Sequence, residues 1–487
     1  MRPEFPLAVE TAAARAAGRL SRLVGAGGGT TMPGKLLWKL DPGAIDRLAM
    51  GLPAGSVLVS ATNGKTTTAA MVADILDGRF RLAHNRAGAN LVSGVASALL
   101  EVRNAELGLF EVDEGALPEV MRRLRPRAVC LANLFRDQLD RYGELELVAE
   151  RWRRAVRDLD DDAWLVVNGD DPQVGDLARE RTRAIAFGLD DRRRARPALP
   201  HAADTKWCVR CGNPYDYTAA YVGHLGDYRC PACGHARPPL TVVARCIELA
   251  GIEGSAFELA TPDGCRRVEL SLPGLYNVYN AVAAAALTHA VGLPLADIVE
   301  GLKRFSPAFG RFERIPIDGK TALLLLVKNP AGANEVVRTL VGSGSPSLLL
   351  VALNDAIADG KDVSWIWDVD FEPLLEARAL RRIVASGDRA AELALRFKYG
   401  GFPSGSIEVV PNLVDALDRG LELTPPAGEL VVMPTYTAML SLQRIVTERG
   451  LVRPYWERRP ASAGGLAARA GRGRRPTRAV PTRESGR

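Results

Sequence analysis

The chain has 487 residues, of which 47% are hydrophobic and 25% charged, a composition typical of a soluble protein with two or three domains. No apolar run approaches the roughly 18 residues that a membrane-spanning helix needs, and we expect no signal peptide. The net charge of +6 comes from the C-terminal tail, because residues 458–487 carry nine Arg and one Glu. The rest of the chain is close to neutral, which disfavours a body built to bind nucleic acid.

The first fifty residues predict a helical segment, with one helix over residues 8–23 before a glycine-rich stretch. Three arginines of this helix can share a polar face. We expect the helix to pack on the body of the protein, and the alternative is a helix that lies on a membrane surface.

A phosphate-binding loop is predicted within residues 57–68. A β-branched strand ends there in a glycine-bearing turn, and Lys-Thr-Thr-Thr opens a helical pattern. Lys65 is expected at the β- and γ-phosphates of ATP, and the hydroxyl of Thr66 on Mg²⁺. The other predicted nucleotide contacts of the loop are Asn63, Gly64 and Thr67. The alternative is an ordinary turn followed by a capped helix.

Acidic and amide side chains follow three further predicted strands. The strand at 107–110 runs into Glu111, the predicted second protein ligand of Mg²⁺, with Asp113 and Glu114 in reserve. The alternative for these carboxylates is a solvated acidic loop. The strands at 128–132 and 164–167 also end in loops rich in Asn and Asp. This pattern predicts a doubly wound α/β sheet with its site along one edge.

Four cysteines form two C-x₂-C pairs that are separated by eighteen residues: Cys208, Cys211, Cys230 and Cys233. This spacing predicts a four-cysteine zinc ribbon, inserted at about residues 205–240. A structural zinc site is the preferred interpretation, and a ribbon that binds nucleic acid is the alternative. The other cysteines have no His at a recognisable motif spacing, so no built-in cysteine hydrolase is expected.

Two later segments add candidate ligands. Asn277 and Asn280 lie three residues apart at the start of an Ala-rich helix predicted over 281–291, where they could cap the helix or contact a nucleotide base. Arg311 is a candidate phosphate contact. We place Asn280 and Arg311 among the nucleotide-binding residues.

The C-terminal part predicts a second, Rossmann-like α/β domain over residues 316–451, with buried strands that alternate with helices. A loop that carries three carboxylates, Asp355, Asp359 and Asp362, directly follows one of these strands. Residues 452–487 are rich in Arg, Gly, Ala and Pro, and are expected to be a disordered basic tail.

Taken in order, these motifs resemble the Mur ligase superfamily. The phosphate loop, the Glu after the next strand, N-x-x-x-D-Q-x-D, N-x-D-D-P, G-x-x-N-x-x-N and G-R-x-E recur there in this order. The cysteine insertion and the segment N-D-x-x-x-D-G-K-D-x-S-W make the chain most similar to the MurT family, the ligase-like subunits of lipid II isoglutaminyl synthases. The resemblance covers roughly residues 30–450. Gln138 and Tyr276 stand where many Mur ligases carry His.

The resemblance implies an ATP-dependent carbon–nitrogen ligase with a Mur ligase-type central domain over residues 51–315. Mur ligases convert a carboxylate into an acyl phosphate, which an amine attacks. In the MurT family the α-carboxylate of D-glutamate in the lipid II stem peptide becomes D-isoglutamine during peptidoglycan biosynthesis. The ammonia comes from glutamine that a GatD-type glutaminase hydrolyses, in a heterodimer. We therefore expect a cytoplasmic protein that meets lipid II at the inner face of the membrane.

The residues implied in catalysis are Lys65, Glu111 and Asp362. Lys65 and the metal neutralise charge on the transferred phosphoryl group. In the MurT family the glutaminase supplies Cys and His, and an aspartate of the ligase subunit completes the triad. By its place in the motif this aspartate is Asp362, and a carboxylate there fixes the tautomer of the histidine. The alternative is that Asp362 caps a loop or helix.

Two other functions remain open on the sequence. One is an autonomous Mur- or folylpolyglutamate-type ligase that consumes an amino acid and needs no partner. The other is a zinc-ribbon ATPase that binds nucleic acid, with strongly salt-dependent binding. The near-neutral body disfavours the second, so no nucleic-acid partner is expected.

Overall fold

The computed structural model describes residues 10–12, 14–16, 18, 31–85, 89–137, 144–200, 203–305, 311–344, 346–377 and 379–452. Of Arg311, it describes the backbone alone. Gln138, the C-terminal tail beyond residue 452 and much of the helix predicted over 8–23 lie outside this part of the chain. Within it, no helix combines the length and the apolar character needed to cross a membrane.

The described residues form strands and helices in alternation. In chain order the strands are β1 (Ser56–Ser60), β2 (Leu82–His84), β3 (Leu107–Glu111), β4 (Ala128–Leu131), β5 (Trp164–Asn168), β6 (Ala184–Leu189), β7 (Asp216–Val222), β8 (Leu225–Arg229), β9 (Val242–Leu249), β10 (Ser255–Thr261), β11 (Gly264–Leu270), β12 (Arg311–Ile317), β13 (Lys320–Leu325), β14 (Leu348–Ala352), β15 (Arg382–Ser386), β16 (Ile407–Val409) and β17 (Glu429–Pro434). The α-helices are Met32–Leu40, Ala44–Met50, Lys65–Leu76, Val92–Glu101, Leu117–Leu124, Leu145–Arg157, Pro172–Gly175, Leu275–Ala290, Leu295–Arg304, Pro330–Gly342, Glu372–Glu376, Ala390–Tyr399, Leu413–Leu423 and Tyr436–Glu448. Short 3₁₀ helices span Asp176–Glu180, Arg192–Arg194, Ser364–Asp368 and Ser404–Ser406.

A nine-stranded sheet, in the order β11-β10-β9-β6-β5-β4-β1-β3-β2, forms the core of the N-terminal unit. The pairs from β2 to β9 are parallel, whereas β9, β10 and β11 form an antiparallel edge. Val57 and Val59 of β1 belong to one buried cluster and Leu58 to another. A parallel strand buried on both faces needs this continuous apolar run. The sheet confirms the predicted doubly wound class.

A six-stranded sheet, in the order β12-β13-β17-β14-β15-β16, forms the core of the C-terminal unit. Its pairs are parallel except for β12 with β13. The strand β12 begins at residue 311 and pairs with this second sheet, so the expected boundary at 315/316 falls inside a strand of the C-terminal unit.

The four cysteines lie in an insertion between β6 and β9. Its strands β7 and β8 pair with each other as an antiparallel hairpin. The Ala-rich helix begins at Leu275, six residues before the predicted start at 281. The residue before it, Gly274, has φ +86°, which is not a right-handed helical conformation, so the helix starts after this glycine. The helix packs against helix Lys65–Leu76 and the strands of the first sheet.

Candidate nucleotide site and four-cysteine cluster

The phosphate loop consists of the four residues between β1 and helix Lys65–Leu76. Gly64, the last of them, has φ +86°, a conformation that glycine adopts without a steric penalty. A Cβ atom at this position would lie 2.0 Å from Oδ1 of Asn280. Position 64 therefore requires glycine for two reasons, which are its backbone conformation and the close approach of Asn280.

The two predicted magnesium ligands are adjacent. The hydroxyl of Thr66 donates a hydrogen bond of 2.9 Å to Oε1 of Glu111. Two oxygens in neighbouring positions of an octahedral Mg²⁺ site, each about 2.1 Å from the ion, lie about 3 Å apart. The spacing of Thr66 and Glu111 therefore fits one shared ion.

The backbone of Glu111 is held by Asn85. The side chain of Asn85 accepts the N–H of Glu111 at 2.9 Å and donates to its carbonyl at 2.7 Å. Glu111, Asp113 and Glu114 are all buried, so they do not form the solvated acidic loop that was the alternative. The carboxylates follow β3 at the carboxyl edge of the sheet, where open α/β sheets bind their ligands.

Lys65 is paired with Glu114. Its Nζ lies 2.7 Å from Oε2 of Glu114 and donates to the carbonyls of Ala61 and Thr62. Burial alone would lower the pKa of Lys65, but Glu114 and its acidic neighbours outweigh burial and raise this pKa. Burial likewise opposes ionisation of Glu114, but the charges of Lys65 and Lys328 bring its pKa below the ordinary value. The lysine is thus held as a cation inside the loop.

Residues 133–137, which we call the clamp loop, follow β4 and hold the phosphate loop. Asn133 accepts the N–H of Asn63 at 2.8 Å and donates to its carbonyl at 2.9 Å. The N–H of Phe135 donates to Oγ1 of Thr62 at 3.0 Å. Asn133 belongs to the Mur-type motif seen in the sequence, but its role as a clamp was not predicted.

The clamp loop is itself anchored from several sides. Asp171, in the turn after β5, accepts the N–H of Leu134 at 2.9 Å. Arg136 forms an ion pair with Asp204, and a second one with Asp368 at 3.3 Å. Asp137 is buried, which raises its pKa, although the ion pair with Lys328 opposes this shift. Through Asp368 and Lys328, the clamp loop contacts the C-terminal unit.

Asn329 of the C-terminal unit also reaches the phosphate loop. Its side-chain amide exchanges hydrogen bonds of 3.0 and 3.1 Å with that of Asn63. Oδ1 of Asn329, which accepts the hydrogen bond from Asn63, also caps helix Pro330–Gly342 by accepting the N–H of Gly332 at 2.9 Å. The Asn-Pro pair is a signal for a helix start. No local pattern predicts that the cap residue also contacts Asn63.

The two asparagines of helix Leu275–Ala290 have different surroundings. Asn280 accepts a hydrogen bond of 3.3 Å from Thr68 and packs against Gly64. Asn277 donates to the carbonyl of Pro273 at 2.7 Å and accepts from Asn280 at 3.1 Å. Asn280 therefore lies at the phosphate loop, and Asn277 orients it. The side chain of Arg311 lies outside the described residues.

The four cysteines come together in one cluster. All four Sγ atoms lie within 4.8 Å of one another, with 3.5 Å between Cys208 and Cys233 and 3.5 Å between Cys211 and Cys230. Four thiolates around one zinc at about 2.3 Å lie about 3.8 Å apart. The arrangement fits a tetrahedral metal site, and none of the four forms a disulfide.

Each C-x₂-C pair forms the same turn. The N–H of Gly212 donates to the carbonyl of Cys208, and that of Gly234 to the carbonyl of Cys230. Both glycines have φ near +73°. Tyr215, Tyr217 and Tyr228 pack on one another beside the cluster and fill the small insertion.

Asp362 lies apart from these groups, in the loop after β14. It is exposed and accepts the N–H of Ser364 at 2.8 Å. Hydrogen bonds from Ser364 lower the pKa of Asp362, so the carboxylate is ionised at neutral pH. By contrast Asp359 is largely buried and accepts hydrogen bonds from Thr437. Of these two carboxylates, Asp362 is the one accessible to a partner molecule.

Comparisons with known proteins match both units. The family model "Mur ligase middle domain" matches residues 59–209, and "MurT ligase C-terminal" matches residues 326–439. The subunit MurT of the glutamine-hydrolysing lipid II isoglutaminyl synthase of Streptococcus pneumoniae is 32% identical, over 89% of this chain and 95% of that protein. The corresponding subunit of Staphylococcus aureus strain N315 is 30% identical, over 88% and 94%.

A solved structure shows the same fold. The pseudomurein peptide ligase type C of Methanothermus fervidus superposes with a TM-score of 0.64 at 20% identity, and the match covers 81% of this chain and 79% of that one. The order of the motifs, the fold of both units and the similarity over nearly the whole chain lead to one assignment. The chain belongs to the MurT family of Mur ligases.

Proposed function

We propose that the chain is the ATP-dependent amidating subunit of a lipid II isoglutaminyl synthase. In this reaction the α-carboxylate of D-glutamate in the lipid II stem peptide takes the γ-phosphoryl group of ATP. That step releases ADP, and ammonia then attacks the acyl phosphate and displaces phosphate, which leaves D-isoglutamine. The ammonia comes from glutamine that a GatD-type glutaminase, the partner in a heterodimer, hydrolyses.

The observation that carries this proposal is the hydrogen-bonded pair of Thr66 and Glu111 beside the buried cation of Lys65. A hydroxyl and a carboxylate 2.9 Å apart are suitable neighbours on Mg²⁺, as the octahedral spacing requires. Bound there, Mg²⁺ supplies charge neutralisation for phosphoryl transfer. Membership of the MurT family supports the choice of substrate and nitrogen donor, since relatives in this family are named for that reaction.

The remaining loop residues bind the polyphosphate in this proposal. Asn63, Gly64 and Thr67 lie at the start of helix Lys65–Leu76, where backbone N–H groups favour anions. Lys65 exchanges part of its contact with Glu114 for a phosphate oxygen and neutralises charge there. Asn280 packs against Gly64, and Arg311, the first residue of the edge strand β12, is a further phosphate contact in this proposal.

Asp362 serves the partner in this proposal. An exposed, ionised carboxylate can accept the Nδ1–H of a histidine in a docked glutaminase, which orients the ring and stabilises its protonated form. The C-terminal unit, residues 316–451 in the sequence-based division, is then the docking domain. Its strand β12 begins earlier, at residue 311.

The four-cysteine cluster holds structural Zn²⁺ in this proposal. Zinc bound by four thiolates is coordinatively saturated, so it stabilises the insertion and has no open position for catalysis.

The lipid substrate places the reaction at the inner face of the membrane, with the protein on the cytoplasmic side.

The test is amidation with the purified chain, lipid II and ATP·Mg²⁺, followed by mass spectrometry of the stem peptide. Ammonium should convert the acid to the amide, whereas glutamine should do so only after a glutaminase partner is added. ATP turnover without an amidated product under either nitrogen source would refute the proposal. Consumption of a free amino acid would instead identify an autonomous ligase.

A further inference from the structure

The hairpin of the cysteine insertion ends at two residues, Gly223 and His224, which we call the hairpin tip. The strands β7 and β8 lead from the cluster to this tip, which is buried in the N-terminal unit. His224 is fully buried, its Nε2 lies 3.4 Å from Oδ2 of Asp171, and its ring centroid lies 4.8 Å from that of Phe135. The hairpin tip therefore contacts the clamp loop.

Gly223 fits against the clamp loop without room for a side chain. It has φ +55°, and a Cβ atom there would lie 2.8 Å from Cε1 of Phe135. The next residue, His224, stacks on the same ring at a tilt of 54°. Phe135 is thus packed by both residues of the hairpin tip.

The contacts of the clamp loop continue to the phosphate loop. The N–H of Phe135 donates a hydrogen bond to Oγ1 of Thr62, and the side chain of Asn133 binds both the N–H and the carbonyl of Asn63. Asp171, the ion-pair partner of His224, accepts the N–H of Leu134 with the same Oδ2. Three consecutive residues therefore join the hairpin tip to the loop that is proposed to bind phosphate.

His224 and Asp171 form a buried pair, in which Nε2 of His224 lies 3.4 Å from Oδ2 of Asp171. Burial alone would lower the pKa of His224, but the carboxylate of Asp171 outweighs burial and raises it. Asp171 is also fully buried. Removal of one partner of a buried ion pair leaves the other charge uncompensated, so the pair resists separation.

We infer that the hairpin tip of the four-cysteine insertion positions the phosphate loop, with His224 as a positioning residue that acts through Phe135 and Asp171. The insertion thereby supports nucleotide binding from a distance, without contact to the nucleotide. The inference rests on the proposed function in one respect, because it takes the phosphate loop and the first turn of helix Lys65–Leu76 as the nucleotide-binding site.

The first experiment compares Gly223→Ala with Gly319→Ala in the full-length chain. Both glycines lie in hairpin turns with positive φ, at +55° and +75°, but a Cβ atom at Gly319 meets nothing within 4 Å. Alanine is therefore strained by a positive φ at both positions, but only the Cβ atom at position 223 clashes with Phe135. We expect Gly223→Ala to raise the Kd for ADP·Mg²⁺ in calorimetry about tenfold, and Gly319→Ala to change it less than about twofold.

A second pair of variants covers the case in which Gly223→Ala does not fold. His224→Gln removes the buried ion pair with Asp171. His289→Gln removes a more exposed pair with the same separation of 3.4 Å, between Nδ1 of His289 and Asp263, near the other end of helix Leu275–Ala290. Hydrogen exchange of residues 61–66 and 133–135 should accelerate in His224→Gln alone. Calorimetry should show the same selectivity for nucleotide affinity.

The outcomes separate the two proposals. If the wild-type chain binds no ADP·Mg²⁺, the proposed function fails, and hydrogen exchange still decides the inference. If the wild type binds and the tip variants show unchanged exchange in the phosphate loop and unchanged Kd, the inference is overturned while the function stands. Equal losses in the control variants would also overturn it, since the effect would then be general destabilisation.

Discussion

Asn63 and Asn329, 266 residues apart in the chain, exchange two hydrogen bonds between their side-chain amides. Asn63 belongs to the phosphate loop of the N-terminal unit, and Asn329 is the N-cap of helix Pro330–Gly342 in the C-terminal unit. One side chain therefore starts a helix in one unit and contacts the candidate nucleotide site of the other. The position of the C-terminal unit and the conformation of the loop are coupled through this pair.

The first prediction concerns Asn329→Ala. Loss of the amide pair should raise the KM for ATP, by about five- to thirtyfold if one or two hydrogen bonds of about 1 kcal/mol each are lost. The control is Asn412→Ala, since Asn412 also caps a helix, through Val414 and Asp415, away from the phosphate loop. Each variant should lose about 1 kcal/mol of stability with its cap. An equal KM in both variants would show that the pair does not affect nucleotide binding.

The second prediction concerns Glu111→Gln. Asn85 binds the backbone of Glu111, so the substitution should leave the strand end in place and remove the negative charge alone. We expect kcat to fall by about a hundredfold or more, and the activity to require more Mg²⁺, because a neutral amide is a weaker ligand than a carboxylate. Magnesium titrations of the amidation rate check this.

The matched control for Glu111→Gln is Glu106→Gln. Glu106 lies just before the same strand and pairs with Arg81 at the surface. This variant should keep the magnesium dependence of the wild type. A normal magnesium requirement in Glu111→Gln would exclude Glu111 as a metal ligand and direct attention to Asp113.

Local sequence patterns predicted the fold class and much of the site because each pattern has a local cause. Residues 57–59 are apolar since β1 is buried on both faces, and the cysteine spacing follows from the geometry of one tetrahedral ion. The antiparallel edge β9–β11 was missed, although Pro262-Asp263-Gly264 is a turn signal between β10 and β11, because the strands do not alternate regularly between buried and exposed residues. Residues 311–315 were placed in the central domain, whereas they belong to strand β12 of the second sheet, since sheet membership depends on the pairing partner.

Pairings between distant residues could not be predicted. The sequence indicates that Lys65 and Glu114 are polar, but it does not show that burial makes them partners. The same holds for Lys328 with Asp137, and for His224 with Asp171, each brought together by packing between separate elements. Such contacts depend on tertiary structure, and they decide how the phosphate loop is held.

The third prediction concerns the cysteine cluster. The purified chain should contain about one zinc ion, and a strong chelator should lower its thermal unfolding midpoint, because metal binding contributes to the free energy of folding. Cys208→Ser should lose the metal, since it removes one of the four thiolates. Cys265→Ser is the control, because Cys265 is exposed and outside the cluster. Full metal content in Cys208→Ser would refute the site.

The last prediction concerns Asp362→Asn, and it separates the two half-reactions of the proposed complex. The carboxylate is exposed and its hydrogen bonds come from Ser364, so the substitution should not disturb the fold. An amide can donate to the partner's histidine and favour the wrong tautomer, and in a triad this change costs about 10⁴-fold in rate. Glutamine-dependent amidation should therefore fall by at least about a hundredfold, while ammonium-dependent amidation stays within about twofold of wild type.

Asp388→Asn, which changes another exposed carboxylate of the C-terminal unit, should leave both rates unchanged. Loss of the ammonium-dependent rate in Asp362→Asn would place this residue in the ligase reaction itself, and loss of neither rate would leave it as a cap of the helix Ser364–Asp368.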